Sequence, residues 1–258
     1  MDLFIKITVC ILAGAGAGIG TGFAGMSAAA AISPVLIAFL DVPAYEAVGI
    51  ALASDVLASG VSAYTYGKSG NLDIKGGSVL MACVLIFTAV GSFVSSLLSG
   101  AAMGSFSVIM TMILGLRFIL KPVMTTKEAM NAVDSRTRVI KSVIFGSLIG
   151  FICGFIGAGG GLMMLLVLTT VLGYELKCAV GTSVFVMTFT ALTGAVSHFA
   201  IDGAPDLLIL SICVLSTLLF ARIAAKIANH ASPKVLNRTV GAVLILLGAA
   251  VLLVEYLA

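Results

Sequence analysis

A pattern of glycines that occurs twice, at a constant offset, constrains this chain more than any other feature. Gly146 lies 132 residues after Gly14, and the same offset relates Gly150 to Gly18. It also carries residues 47–49, Ala-Val-Gly, onto residues 179–181, which have the same sequence. The two copies align without a gap, so the chain is a tandem repeat. The glycines spaced by four are Gly14, Gly18 and Gly22 in the first copy, and Gly146, Gly150 and Gly154 in the second.

The composition of the chain indicates an integral membrane protein. Hydrophobic residues make up 60% of the chain and charged residues 10%, and the mean hydropathy is +1.23, values foreign to a soluble domain. Apolar stretches of about 18 residues or more recur, each long enough to cross a hydrocarbon core of about 30 Å as a helix. We therefore predict an all-α polytopic protein of the cell membrane, with a bacterial cytoplasmic membrane as the expected location. A net charge of +3 is too small to indicate a nucleic-acid partner.

Proline, glycine and polar residues divide each half into about five helical segments. The predicted domains are a first transmembrane repeat at residues 1–120, a cytoplasmic linker at 121–138 and a second repeat at 139–258. The second segment of each half has about 14 residues, or about 21 Å as a helix, which is too short to span comfortably. We interpret it as part of a broken or re-entrant hairpin whose glycine-rich tips are residues 25–29 and 157–161. The predicted segments are 3–24, 27–40, 44–66, 74–99 and 103–120, then 139–157, 160–173, 177–200, 206–229 and 234–256.

The distribution of charge predicts the orientation of the repeats. If each hairpin enters and leaves on one side, all but one of the 14 Lys and Arg residues fall at the same end. The positive-inside rule assigns that end to the cytoplasm. Lys6 is the exception, and it lies at the end that carries Glu46 and Asp206. Equivalent loops then face opposite sides, which predicts an inverted-topology repeat, as in secondary transporters that bind substrate near the midplane between repeats.

The second repeat resembles a known family. The resemblance is carried by residues 150–161, Gly-Phe-Ile-Cys-Gly-Phe-Ile-Gly-Ala-Gly-Gly-Gly, and by residues 179–183, Ala-Val-Gly-Thr-Ser. Both are similar to the TauE/SafE family of sulfite and organosulfonate exporters, and the similarity extends over nearly the whole chain. It implies membrane transport of small anions such as sulfite, sulfonates or other sulfur-containing and carboxylate compounds. The first repeat differs, because Met26-Ser27-Ala28-Ala29 replaces the usual glycine-rich tip and Ile50-Ala51 replaces the usual Thr-Ser.

The two tips are the predicted substrate-binding site. Backbone N–H groups exposed beside a helix N-terminus can hold an anion, and glycine leaves such backbone accessible. Nearby hydroxyls can donate to a sulfite or sulfonate oxygen, or can bond instead to the helix carbonyl four residues earlier. The glycines spaced by four are interpreted as a packing face. The predicted substrate-binding residues are Gly25, Met26, Ser27, Gly157, Gly159, Gly160, Gly161, Thr182, Ser183 and Ser54.

Asp55 is the one carboxylate at the middle of a predicted spanning helix. An ionised group there costs at least about 2.5–3.5 kcal/mol, so such residues are functional by default. Two interpretations are open: a coupling proton site, or a protonated Asp in a structural hydrogen bond. His198, near a helix end, is interpreted as a packed or interfacial residue rather than a proton relay. Arg117 and Arg222 are expected to extend to the cytoplasmic interface.

These features predict a secondary transporter that exports a small anion by alternating access, with proton coupling left open. One alternative is a transporter or channel for another solute, such as a carboxylate or a cation. Another is an intramembrane serine protease, because Gly25-Met26-Ser27-Ala28 with His198 superficially resembles a rhomboid site. The Ala in fourth position argues against a protease, and we expect no enzyme. The scattered cysteines predict no disulfide or metal site, and no cofactor is expected. The expected partners are the anion and the lipid bilayer, and homo-oligomerisation is left open.

Overall fold

The computed structural model describes residues 3–96, 112–113, 115–156, 160–202 and 204–257. Regular secondary structure in these ranges is entirely α-helical, as the predicted fold class requires. The helices are α1 (Leu3–Ala24), α2 (Ala29–Leu40), α3 (Ala44–Lys68), α4 (Ile74–Ser96), α5 (Lys127–Asn131), α6 (Ser135–Ile156), α7 (Gly160–Thr170), α8 (Leu176–Asp202), α9 (Leu207–His230) and α10 (Pro233–Leu257). Residues 115–120 are also helical.

The two predicted short segments are confirmed. α2 has 12 residues and α7 has 11, so neither reaches the roughly 20 residues of a spanning helix. Within the described ranges, five helices are long and apolar enough to cross a membrane: Leu3–Ala24, Ala44–Lys68, Leu176–Ala200, Leu207–His230 and Pro233–Ala250. The predicted segment 103–120 lies largely outside the described residues.

The predicted start of α6 at residue 139 was wrong, because the helix begins at Ser135, inside the predicted linker. Asp134 supplies the reason: its carboxylate accepts the backbone N–H of Thr137 at 3.2 Å, which caps the helix before its apolar stretch begins. In α5 the hydroxyl of Thr126 likewise accepts the N–H of Ala129 at 3.3 Å. Capping side chains thus give the polar connection helical structure that hydropathy does not detect.

Three helix pairs form the core of the molecule. α1 packs on α9, α4 packs on α6, and α3 packs on α8. The offset of 132 residues relates α1 to α6 and α4 to α9, so the first two pairs are equivalent to each other. A two-fold relation between the halves predicts this exchange of partners. The opposite insertion of the two repeats in the membrane stays a prediction.

The glycines spaced by four lie where paired helices touch. A Cβ on Gly18 would lie 2.5 Å from the carbonyl oxygen of Thr217 on α9, and a Cβ on Gly150 would lie 2.5 Å from that of Val84 on α4. Only a residue without a side chain allows two backbones to approach so closely. The packing interpretation is confirmed for Gly14, Gly18, Gly22, Gly146 and Gly150, whereas the contacts of Gly154 lie outside the described part.

The connecting loops form two clusters, one at each end of α3. At the end that we call the lysine-rich end, Lys127 donates to the carbonyl of Gly70 at 3.0 Å. Lys141 and Lys177 donate there to the backbone carbonyls of Val171 and Asn229. At the opposite end, which we call the acidic end, Lys6 forms an ion pair with Asp206 at 2.7 Å. There Glu46 accepts the backbone N–H of Asp206 at 2.8 Å. The one basic residue outside the predicted cytoplasmic group therefore pairs with an acidic partner.

Candidate functional site

The first break lies between α1 and α2. Gly25 has φ of 62° and donates its N–H to the carbonyl of Thr21 at 3.0 Å, a left-handed helix cap that suits glycine. The Thr21 hydroxyl donates to the Met26 carbonyl at 2.8 Å, and the Tyr66 hydroxyl donates to the Gly22 carbonyl at 2.9 Å. Buried side chains thus satisfy the carbonyls that the break exposes, as backbone at membrane depth requires.

Asp55 is fully buried and is held to the first break by hydrogen bonds. Ser27, in the break, donates its hydroxyl to one carboxylate oxygen of Asp55 at 2.7 Å. Ser59, one turn along α3, donates to the other oxygen at 2.7 Å. Hydrogen bonds to an ionised carboxylate are shorter and stronger than those between neutral groups. The break therefore has a fixed position against the middle of α3.

The start of α7 meets the first break beside this carboxylate. A Cβ on Gly161, the second residue of α7, would lie 2.5 Å from the carbonyl oxygen of Gly25 and 3.2 Å from the backbone nitrogen of Ser27. Ser183 on α8 places its hydroxyl 3.3 Å from the carbonyl oxygens of both Gly25 and Gly161. The structure thus brings together residues from both tips, together with Ser183 and Asp55.

The other two predicted hydroxyl donors are engaged elsewhere. Ser54 donates to the carbonyl of Ile50, four residues earlier in α3, at 2.9 Å. The Thr182 hydroxyl accepts the backbone N–H of Asp73 at 3.2 Å, so it joins α8 to the loop that follows α3. Both side chains are fully buried. Their role as anion ligands stays a prediction, and for Ser54 the local carbonyl competes with it.

The remaining predicted residues of the tips have varied surroundings. Met26 is buried, and a Cβ on Gly20 would lie 2.6 Å from its terminal methyl carbon, so this side chain fills space beside α1. Gly160 is the first residue of α7. Gly157 and Gly159 lie outside the described residues. Anion binding by all of these residues stays a prediction.

His198 packs at the acidic end, as predicted. Its ring stacks on Tyr45 with centroids 4.0 Å apart, and its Nδ1 lies 3.1 Å from the Tyr45 carbonyl oxygen. Because Ser27 bonds to Asp55 instead, Ser27 and His198 do not form the hydrogen-bonded dyad that a serine protease needs. Arg222 is exposed, whereas Arg117 is half-buried.

Sequence reasoning missed the residues that support the site. Ser59 lies four residues after Asp55, a spacing that places both side chains on one face of a helix, and this signal was available. Thr21 and Tyr66 bond to backbone carbonyls of the break, and their roles depend on where the chain turns. No local pattern identifies such partners.

Comparison with known proteins agrees with this architecture. The model of a family described as sulfite exporter TauE/SafE matches residues 10–251. The chain belongs to the TauE/SafE family. Two Bacillus subtilis relatives in this comparison are named probable membrane transporter proteins: YdhB, 26% identical over 84% of this chain and 88% of its own length, and YunE, 24% identical over 84% of each. A protein of the same description from Haemophilus influenzae is 29% identical over 78% of this chain and 76% of its own length. No solved structure matches this TauE/SafE chain significantly. The chain is thus a multi-pass membrane protein of a transporter family.

Proposed function

We propose that this protein exports a small anion, sulfite or an organosulfonate, by alternating access, and that Asp55 carries a coupling proton. The observation that carries the proposal is the hydrogen bond of Ser27 to Asp55 beside the contact between Gly161 and the first break. Export of a sulfur oxyanion follows the family description. The structure supports the proposal with a buried carboxylate that Ser27 holds beside the start of α7.

Asp55 has the surroundings expected of a group that exchanges a proton. The two ion pairs formed by described side chains join Lys6 to Asp206 and Arg138 to Asp73, so neither includes Asp55. Its charge is balanced only by neutral donors, which compensate a buried charge less than a cation does. Neutralisation by a proton is therefore the accessible alternative to ionisation inside the membrane.

The donors that hold Asp55 are those that an anion would use. α2 and α7 both begin near the contact between Gly161 and Ser27, and the N-termini of helices attract negative charge. While the carboxylate is ionised, it repels an anion and occupies the Ser27 hydroxyl. Protonation of Asp55 removes the charge and frees these donors. Anion binding is therefore linked to proton uptake.

Transport by purified protein in liposomes tests the proposal. Initial rates are measured for labelled sulfite, a taurine-like sulfonate and a carboxylate, each with and without a pH gradient. The expected result is transport of a sulfur anion that responds to the gradient in the wild type and loses this response in Asp55→Asn. Asp41→Asn is the matched control, since Asp41 is exposed and caps α2 at φ of 52°, a conformation that Asn adopts readily.

The outcomes separate the parts of the proposal. Equal wild-type rates with and without the gradient would exclude proton coupling. An Asp55→Asn protein that keeps its gradient response would exclude Asp55 as the proton site. The absence of transport for every anion would exclude the substrate class.

A further inference from the structure

The loop between α3 and α4 lies directly on α8 at the lysine-rich end. A Cβ on Gly181 would lie 2.0 Å from the carbonyl oxygen of Asn71, and the backbone N–H of Asp73 donates to Thr182. Ser183, the next residue, bonds to the Gly25 carbonyl in the first break and to the Gly161 carbonyl in α7. Residues 69–73 therefore cover the turn of α8 that leads to the candidate site.

Side chains from three other elements hold this loop in place. Tyr174, between α7 and α8, donates its hydroxyl to the Asp73 carboxylate at 2.6 Å. Arg138 on α6 lies 3.8 Å from the same carboxylate and over the Tyr174 ring. Asn71 donates to Asn229 on α9 at 2.6 Å. Burial raises the pKa of the Tyr174 phenol, so the phenol remains a hydrogen-bond donor to Asp73.

The corresponding position at the acidic end is closed differently. Gly49 is the counterpart of Gly181 at the offset of 132 residues, and a Cβ there would meet side chains of His198 and Phe199 rather than backbone. A cavity of about 60 Å³, lined in part by Glu46 and His198, adjoins Gly49. The pair α3 and α8 is thus covered by hydrogen-bonded backbone at one end and by side chains around a cavity at the other.

We propose that the Asp73–Tyr174 hydrogen bond is the latch of a gate that closes the transport path at the lysine-rich end. This inference rests on the proposed function, because it assumes that the substrate reaches the contact between Gly161 and the first break along α8. The surrounding cations suit an anionic substrate: Lys127 and Lys177 bond to backbone carbonyls of Gly70 and Asn229. An anion that arrives at this end competes with Asp73 for Arg138 and so favours release of the loop.

Cys178 provides a native reporter for the position of the loop. It lies four residues before Thr182, on the same face of α8, and its sulfur is 4.0 Å from the Thr182 hydroxyl. The thiol is 3% exposed while the loop is in place. In a chain that retains only this cysteine, labelling by a membrane-impermeant thiol reagent reports how often the loop leaves α8.

The experiment compares Tyr174→Phe with Tyr64→Phe in inside-out vesicles, where the reagent reaches the predicted cytoplasmic face. Tyr174→Phe removes one hydroxyl and keeps the ring, whereas Tyr64 is 71% exposed and serves as the control. Loss of a hydrogen bond to a carboxylate is expected to increase the labelling rate of Cys178 about tenfold or more. Tyr64→Phe is expected to leave the labelling rate at the wild-type value.

Two results would overturn the latch. One is an unchanged labelling rate in both Tyr174→Phe and Asp73→Asn. The other is an equal increase for Cys213, buried between α9 and α1, in a chain that retains only that cysteine, because this would indicate general unfolding. Labelling needs no substrate. If no anion is transported but the labelling rates change as expected, the proposed substrate is refuted and the latch is not.

Discussion

Replacement of Gly161 by alanine is expected to separate the start of α7 from the first break. The new Cβ would lie 2.5 Å from the carbonyl oxygen of Gly25, whereas ordinary contact begins near 3.4 Å. The two groups must therefore move apart by about 0.9 Å to reach an ordinary contact distance. The backbone fixes the position of the new Cβ, and the carbonyl oxygen is itself a backbone atom, so rotation of a side chain cannot relieve the clash. The hydrogen bond of Ser27 to Asp55 lies next to this contact and is expected to be distorted.

The size of the effect follows from the cost of overpacking. Insertion of a methyl group into a well-packed site costs about 1–3 kcal/mol, and a difference of that size changes an equilibrium by about 5-fold to 150-fold. If the contact between Gly161 and Gly25 is needed during transport, the population of the competent state falls by this factor. We expect the initial rate of anion transport by Gly161→Ala to fall about 5-fold or more.

Gly60→Ala is the matched control. A Cβ on Gly60, inside α3, would lie 3.7 Å from the nearest atom, a methyl carbon of Thr188, and alanine within a helix is favoured over glycine by about 0.5–1 kcal/mol. Initial rates in liposomes are normalised to the amount of folded protein, and thermal unfolding in detergent is measured beside them. A Gly161→Ala protein that transports as fast as Gly60→Ala would refute the placement of the contact between Gly161 and Gly25 in the transport site.

Three further predictions follow from individual contacts. Gly18→Ala places a Cβ against backbone of α9 and is expected to lower the unfolding temperature, because overpacking there costs about 1–3 kcal/mol; an unchanged melting curve would contradict the packing of α1 on α9. The hydrogen bond from Lys6 lowers the pKa of Asp206, so this pair stabilises the protein above about pH 4 and loses its contribution as the pH falls further. Asp206→Asn should therefore lose less thermal stability than the wild type between pH 7 and pH 3, and an equal loss would exclude the contribution. Ser54→Ala should leave the transport rate unchanged, because this hydroxyl donates to its own helix, and a large loss would instead support anion binding by Ser54.

The sequence predicted the membrane class, the tandem repeat and most helix bounds because these depend on local properties. An apolar stretch of sufficient length partitions into a bilayer wherever it lies in the chain. The spacing of Gly14, Gly18 and Gly22 likewise predicts a close-packing face without knowledge of the partner helix. The early start of α6 was missed because hydropathy contains no information about the cap at Asp134.

The sequence also identified Asp55 and the two tips as unusual, but only the tertiary structure decided what they contact. Asp55 lies on α3 and Ser27 in the break between α1 and α2, and 28 residues separate them. Gly161 reaches Gly25 from the other repeat. Such contacts depend on how whole helices pack, and many pairings are compatible with the same local pattern. The sequence by itself determined that this chain crosses a membrane as two similar halves. Only the packing of the helices decided that Gly161 of α7 meets the first break beside one buried carboxylate.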